Sequence, residues 1–286
     1  MVCLLPVRWT RWACAIANAA LGNTGNCPVI EVSMGGLALE CIEGSVTLAV
    51  AGGGFLVALD QISHGSWVVA ALRAGSKLTV KPGPCGSWTY LAFAGQLQAK
   101  KWLGNVSTHA PSGLGSGQLL AGQRLVIEEA KVREERTAEI ACPVSARPRH
   151  PLKIVIGPQD RFFAPQTIET LLSQPFTLTD AYDRMGVRLA GPSLAQNTTL
   201  DMPSKAIVRG SIQVSGDGVP TVLLADHQTT GGYPKIATLV DGHLDGFAQL
   251  RSQSQAVFAQ TSPEAAILAA RTRHHSQAQF LAGIHR

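Results

Sequence analysis

The 286-residue sequence predicts a mainly β protein of two barrel-like domains in pseudo-duplication, with a few short helices. Three observations lead there. The 29 glycines and 16 prolines break the chain into short apolar runs, a pattern of strands joined by turns and not of a helical bundle. A polar, proline-bearing passage between Glu128 and His150 divides the chain into two parts of ordinary domain size. The two parts also share a faint repeat: Gly36-Leu37-Ala38-Leu39 answers Gly186-Val187-Arg188-Leu189, and Gly86-x-x-Thr89-x-Leu91 answers Gly218-x-x-Thr221-x-Leu223. The expected organisation is a first barrel over 1–130, a linker over 131–150, a second barrel over 151–260, and a C-terminal helix and tail over 261–286. Two such barrels would face each other, with polar loops gathered at the join.

In the first part, the alanine-rich residues 12–21 predict a short helix, stopped by Gly22-Asn23. Its small side chains permit close packing on a sheet. A strand over 29–34 follows, bent by Gly35-Gly36 into a second strand that ends at Glu40. Apolar runs at 46–51, 55–59, 67–72 and 77–80 each meet a glycine, a proline or an acidic turn, and each reads as a strand. Residues 88–94 read as a central strand because β-formers and apolar residues dominate them. Gly52-Gly53-Gly54 resembles a phosphate-cradling loop only superficially, since no Lys-Ser/Thr pair follows and the next stretch is strand. The glycine-rich passage holding Gly104, Ser107, Thr108, Gly113, Gly115 and Gly117 is the better functional candidate, either a loop lining a site or a plain connection.

The second part opens with a strand over 152–156 that ends in Gly157-Pro158-Gln159-Asp160. A helix over 165–172 follows, with proline in its first turn and Ile168, Leu171 and Leu172 on one side. Then come a strand over 176–178 and a charged bend over 183–189, where Asp183 and Arg184 read equally well as a structural ion pair or as binding groups. Further on, a strand at 236–240, a short helix at 244–250 and a closing strand at 254–259 are expected. Ser262 caps a helix over 263–273, and the last dozen residues, polar and basic, read as a frayed tail.

Between these elements lies the stretch with most chemistry. The apolar run 221–225 delivers Asp226-His227-Gln228-Thr229-Thr230-Gly231-Gly232-Tyr233-Pro234-Lys235, in which a carboxylate, an amide, two hydroxyls, a phenol and an amine fall within ten residues. Such groups at the end of a buried strand can bind or polarise a small polar molecule, and Gly231-Gly232 lets backbone approach it closely. A tight turn with polar decoration is the plainer alternative.

Composition narrows the function classes. The formal charge of +5 comes from scattered basic residues, without the stripe of Lys, Arg and aromatics that nucleic-acid binding needs. Six cysteines without a Cys-x-x-Cys pair argue against a zinc knuckle or redox site and read as free thiols, and no metal-ligand spacing is apparent among the eight histidines. No apolar stretch reaches the roughly 18 residues that cross a bilayer, and the apolar opening is interrupted by Arg8 and Arg11 where a signal peptide would place its charge first. The expected location is cytoplasmic.

Four motifs in order carry a resemblance to a known family. They are Gly157-Pro158-Gln159-Asp160; Asp183-Arg184-Met185-Gly186-x-Arg188-Leu189-x-Gly191; Gly210-Ser211-Ile212-Gln213-Val214-x-x-Asp217-Gly218; and Asp226-x-Gln228-Thr229-Thr230-Gly231-Gly232-Tyr233-Pro234-Lys235-Ile236-Ala237. They resemble the carboxyltransferase subdomain A/B family, also called allophanate hydrolase subunit 2 or urea amidolyase-related proteins. The likeness is dense from Pro151 to about Arg251 and looser from Arg11 to Glu128. It implies two cyclophilin-like β-barrels and a partner of the carboxyltransferase subdomain C/D type.

The activity implied is that of the C subunit of a bacterial ATP-dependent 5-oxoprolinase, an amide-ring hydrolase that opens 5-oxoproline to glutamate and acts only in complex, a LamB/YcsF-type subunit joining it. ATP would then serve at the level of the complex. The alternative is a biotin-dependent, urea carboxylase-like carboxyltransferase component, or a non-catalytic regulatory or decayed paralogue. No biotin-carrying lysine motif is present, so any biotin would arrive on another chain. Under either enzymatic reading Asp226 and Lys235 are the candidate catalytic groups, Asp226 orienting an amide N–H or acting as a base and Lys235 holding a carboxylate or phosphate. Gln228, Thr229, Thr230 and Tyr233 would line the pocket, with Gln213, Asp217, Asp183 and Arg188 close by. At the N-terminus Arg8-Trp9-Thr10 stands where the family has a Gly-x-Met-Asp turn, and nothing upstream supplies its polar loop. The first barrel is therefore expected to lack an edge strand and part of its site.

Overall fold

In the computed structural model the described residues are 2–3, 9–24, 27–104, 106–109, 112–197 and 202–284, with residues 2–3 described by their backbone alone. Two units carry the fold: Met1–Arg147 with Gln277–Arg286, and Pro148–Ser276.

In the first unit, strand Ser45–Ala51 shows how the sequence builds two layers of core. Val46, Leu48 and Val50 alternate with Ala49 and Ala51, so successive side chains serve opposite faces. The branched set packs between a six-stranded and a four-stranded antiparallel sheet with Phe55, Val57, Leu78, Val80 and Leu91. The alanines face helix α1 (Arg11–Ala20), whose Ala13, Ala17 and Ala20 meet them with Ile16 and Trp12. Small residues on both sides bring helix and sheet together, as the alanine-rich sequence predicts. Strand Thr89–Phe93 lies between Val29–Val32 and Ser45–Ala51 and is buried along its whole length, the central strand its composition requires.

Two expectations for this unit need revision. Strand Lys77–Cys85 does not stop at Val80 but continues through Pro82-Gly83-Pro84. Its pairing with Gly54–Leu59 shifts register between Gly54 and Leu56, and the two prolines, which lack an N–H for the ladder, fall inside that bulge. A Cβ on Gly83 would sit 1.8 Å from the Gly54 carbonyl oxygen, so only glycine fits the crossing. Secondly, where a missing edge strand was expected, the backbone of Val2–Cys3 pairs with Ile30 and Val29. Residues 4–8, on which the rest of that expectation falls, lie outside the described residues.

The second unit is an eight-stranded sheet that nearly closes on itself. Its order runs Gln255–Ala256, Phe176–Tyr182, Gly186–Ala190, Pro220–Leu223, Ser211–Val214, Lys235–Leu239, Leu152–Ile156, Phe258–Gln260. The two edge strands are separated by Val257 alone, and the Val257 carbonyl accepts a hydrogen bond from Leu152 N–H at 2.7 Å. Closure thus comes from consecutive chain, which leaves little open edge. Inside lie Ile154, Phe176, Leu178, Val187, Leu189, Ile212, Val214, Val222, Ile236 and Phe258, all buried. Helix α2 (Pro165–Ser173) contributes Leu171, and helix α3 (Asp241–Ala248) contributes Leu244 and Phe247.

Helix α4 (Pro263–Ile284) corrects the expected frayed tail, since it runs eleven residues beyond Arg273. Phe280, Leu281 and Ile284 pack against the α1 core of the first unit, and Phe280 tilts against Trp12 with ring centroids 5.7 Å apart. Apolar burial stabilises the last turns that polar composition concealed. No helix among the described residues is long and apolar enough to cross a membrane.

Candidate functional site

Register across the second barrel organises the candidate residues. Arg188 pairs with Thr221, Thr221 with Gln213, and Gln213 with Lys235, so these four form one row across four adjacent strands. Gln213 and Lys235 end the row, each only 4% exposed. A register shift between Ile212 and Gln213 marks a bulge at this place.

Lys235 is held at both ends. Its backbone N–H donates to Gln159 Oε1 at 2.9 Å, and its Nζ donates to the Ala206 carbonyl at 2.8 Å. Burial pushes the ammonium below the ordinary lysine value, and the nearby charge of Lys205 adds to this. Among the described residues the ammonium has one acceptor, which leaves two N–H groups for a ligand. Gln159 is engaged at both ends of its amide, since its Nε2 also donates to the Met202 sulfur at 3.0 Å. It is itself buried and belongs to the Gly157-Pro158-Gln159-Asp160 motif, yet sequence reasoning assigns it no role. The signal lies in that motif, where local pattern shows only the end of a strand.

Chain from Thr230 to Tyr233 wraps this pair. Strand Thr230–Gly231 pairs with Lys205–Ala206, and Gln213 Nε2 donates to the Tyr233 carbonyl at 3.3 Å. A Cβ on Gly231 would come within 2.7 Å of Gln213 Nε2, so glycine is required for backbone to pass over the amide. Gln228, Thr229, Thr230 and Tyr233 are exposed, Tyr233 by 48%. Lys235 and Gln213 are therefore brought together as a buried amine and amide, with the backbone of Gly231 and Tyr233 against the amide and the exposed Thr230 and Tyr233 on the same loop.

The remaining candidates lie elsewhere. Asp226 follows the end of strand Pro220–Leu223 at which Leu223 pairs with Gly186, whereas the row of Lys235 crosses that strand at Thr221. Its carboxylate is wholly buried and bound by Arg184, Nε to Oδ2 at 2.8 Å and Nη2 to Oδ1 at 3.2 Å. This replaces the expected Asp183–Arg184 pair. Adjacent side chains on a bend diverge, and Asp183 instead accepts the N–H groups of Met185 and Gly186 at 2.8 and 3.2 Å, closing its own turn. Asp217 makes a similar turn: it accepts the Ser215 hydroxyl at 2.6 Å and the Val219 N–H at 3.2 Å, and pairs with the exposed Arg188 at 2.8 Å. Those hydrogen bonds, the Ser215 hydroxyl foremost, hold its carboxyl down to about 2.

With this geometry established, comparison with known proteins gives a consistent result. The family model for the carboxyltransferase domain, subdomain A and B, matches residues 9–260. A protein named as the C subunit of 5-oxoprolinase, from Escherichia coli (strain K12), is 32% identical over 260 residues, covering 90% of this chain and 83% of that protein. Its namesake from Haemophilus influenzae is 31% identical over 244 residues, 84% of this chain and 77% of that protein. Among solved structures, the urea carboxylase of Kluyveromyces lactis superposes with a TM-score of 0.82 over 95% of this chain at 20% identity, a likeness of fold. The chain spans 26% of the length of that enzyme, and about half the length of another solved protein with a TM-score of 0.77.

Proposed function

The chain belongs to the carboxyltransferase domain, subdomain A and B family, and from that premise we propose that it is the C subunit of an ATP-dependent 5-oxoprolinase. The observation that carries this reading is the near full-length similarity to two proteins of that name. The reaction adds water across the lactam of 5-oxoproline: the ring C–N bond breaks, the carbonyl carbon gains the oxygen as a carboxylate, and the nitrogen leaves as the amine of glutamate.

In this reading Lys235 supplies its two available N–H groups to the carboxylate of the substrate or to the oxyanion that develops on the lactam carbonyl. A partly desolvated ammonium is a stronger electrostatic partner for such a charge than one in water. The Ala206 carbonyl holds the amine, Gln159 holds the Lys235 backbone and Gln213 holds the Tyr233 carbonyl, and Thr230, Thr229, Gln228 and Tyr233 form the rim that meets polar atoms of the substrate. Asp226, with both oxygens engaged by Arg184, anchors the base of the loop and is not the free base. Arg188 and Asp217 join strand Gly186–Ala190 to the turn before Pro220–Leu223.

ATP enters at the level of the complex. The Gly52-Gly53-Gly54 turn does not fit its phosphates: Gly54–Leu59 follows as a strand, with no helix N-terminus, and the turn closes on the Trp88 carbonyl and the Phe55 ring. Partners of the carboxyltransferase subdomain C/D type and of the LamB/YcsF type complete the enzyme, which works in the cytoplasm as a hetero-oligomer.

The test is reconstitution. The chain is purified with both partner subunits and assayed for 5-oxoproline-dependent ATP hydrolysis with release of glutamate. An assembled complex without turnover sinks the reading. Turnover of urea in the presence of a biotin carboxylase and a biotinylated carrier would establish the carboxyltransferase alternative instead.

A further inference from the structure

The glycine-rich passage of the first unit folds into a cleft that the reading above does not use. Strands Gln96–Leu97 and Ile127–Glu128 pair with Gln96 opposite Glu128 and Leu97 opposite Ile127, and the Gln98 N–H extends the ladder to the Val126 carbonyl at 2.9 Å. Past this point the ladder ends, and Lys100, whose N–H turns to Ser116, and Arg124 lie on the two chain segments that leave it. Both line a cleft of about 410 Å³ together with Ser116, Gln123, Leu119 and Leu125.

Two cations lining one cleft repel each other unless an anion lies between them. Among the described residues the ion pairs use other groups, and neither Lys100 nor Arg124 has a carboxylate partner. The residues that line the cleft include these two cations and no carboxylate, so its lining is net positive.

Its opposite wall is built and not a slack connection. Lys100 N–H donates to Ser116 Oγ at 2.9 Å, and His109 and Leu114 bridge the loop as paired backbone. Gly115, at φ +89°, lies so close to Ser107 that a Cβ would sit 2.3 Å from the Ser107 carbonyl oxygen. Gln123 accepts the Leu120 N–H through Oε1 at 3.1 Å, which leaves its amide nitrogen as a donor.

We propose that this cleft binds an oxyanion, a carboxylate or phosphate group of a small molecule, between Lys100 and Arg124, with the Ser116 hydroxyl and Gln123 amide as further donors. An anion there removes the like-charge repulsion, the Arg124 fork offers two parallel N–H groups, and Leu119 and Leu125 take the carbon portion of the ligand. The inference stands on the first unit alone and does not rest on the 5-oxoprolinase reading.

Calorimetric titration of the full chain with glutarate, with inorganic phosphate and with the neutral glutaric diamide tests it. Saturable binding of glutarate identifies the carboxylate source and binding of phosphate the phosphate source; either supports the proposal if K100Q and R124Q each weaken it about 10-fold or more, as loss of one charge-assisted hydrogen bond predicts. The exposed Arg271→Ala, in the other unit, should leave that binding unchanged. The proposal is overturned if neither anion binds at low salt, if the diamide binds as well as glutarate, or if binding survives the double substitution. Circular dichroism on the exposed-residue variants confirms that lost binding is not lost fold.

Discussion

Arg184 and Asp226, 42 positions apart in sequence, form a two-point ion pair in which the carboxylate is wholly buried and the arginine side chain is 10% exposed. The pair joins the bend before strand Gly186–Ala190 to the start of the loop that carries Thr230 and Tyr233, and the Asp226 N–H donates to the Arg184 carbonyl at 2.7 Å. Truncating the arginine leaves a buried charge without its partner. Arg184→Ala should cost about 3–5 kcal/mol in urea unfolding, whereas Arg184→Met with Asp226→Leu, which removes both charges, should cost much less. Equal losses would show that the pair contributes only through packing.

Lys235→Met keeps most of the stem and removes the ammonium. In ligand titration of the assembled complex the affinity for 5-oxoproline should fall at least about 10-fold, equivalent to ~1.4 kcal/mol, with the fold retained. The same variant reports on pH. Burial, and then Lys205, lower the native lysine below its ordinary 10.5, so between the lowered value and 10.5 the unfolded chain binds the extra proton. Wild-type stability relative to the methionine variant should therefore rise as pH rises through that window. A flat difference would mean that the amine is solvated.

For Asp217 the sign is opposite. Its native value of about 2 lies below the ordinary 3.8, so its contribution is present above 3.8 and is lost as pH falls toward 2. Asp217→Asn should flatten this acid limb in a pH series of thermal melts. Because the Ser215 hydroxyl is the foremost cause, Ser215→Ala should raise the carboxyl value, followed by NMR, more than Arg188→Ala does.

Phe280 tests the continuation of α4. It is half-buried against Trp12, so Phe280→Ala should destabilise the chain by about 1–2 kcal/mol, less than full burial of a phenylalanine implies. The exposed Arg271→Ala should stay within ±0.5 kcal/mol, roughly the noise of surface substitutions. Tryptophan fluorescence follows both.

Much of the barrel architecture was legible because strands bury alternate or continuous apolar residues, as in 45–51 and 89–93. Local rules failed where they met a tertiary exception. Pro82 and Pro84 mark a strand end by propensity, yet a bulge accommodates them. The polar composition after Arg273 reads as a tail, yet three apolar residues find a core to pack on.

The candidate site divides in the same way. The sequence by itself determined which chemistry is present and its order along the chain: the four motifs, the glycines that let backbone pass closely, and Lys235 at the start of a buried strand. Tertiary structure alone decided which groups meet. Register set Gln213 beside Lys235 and removed Asp226 to Arg184, and folding of the 96–128 ribbon brought Lys100 and Arg124 to one cleft. The reason is physical. Burial and turn propensity act on near neighbours and leave a signature in composition, whereas cross-strand partners are chosen by hydrogen-bond register between distant segments, which no local pattern records.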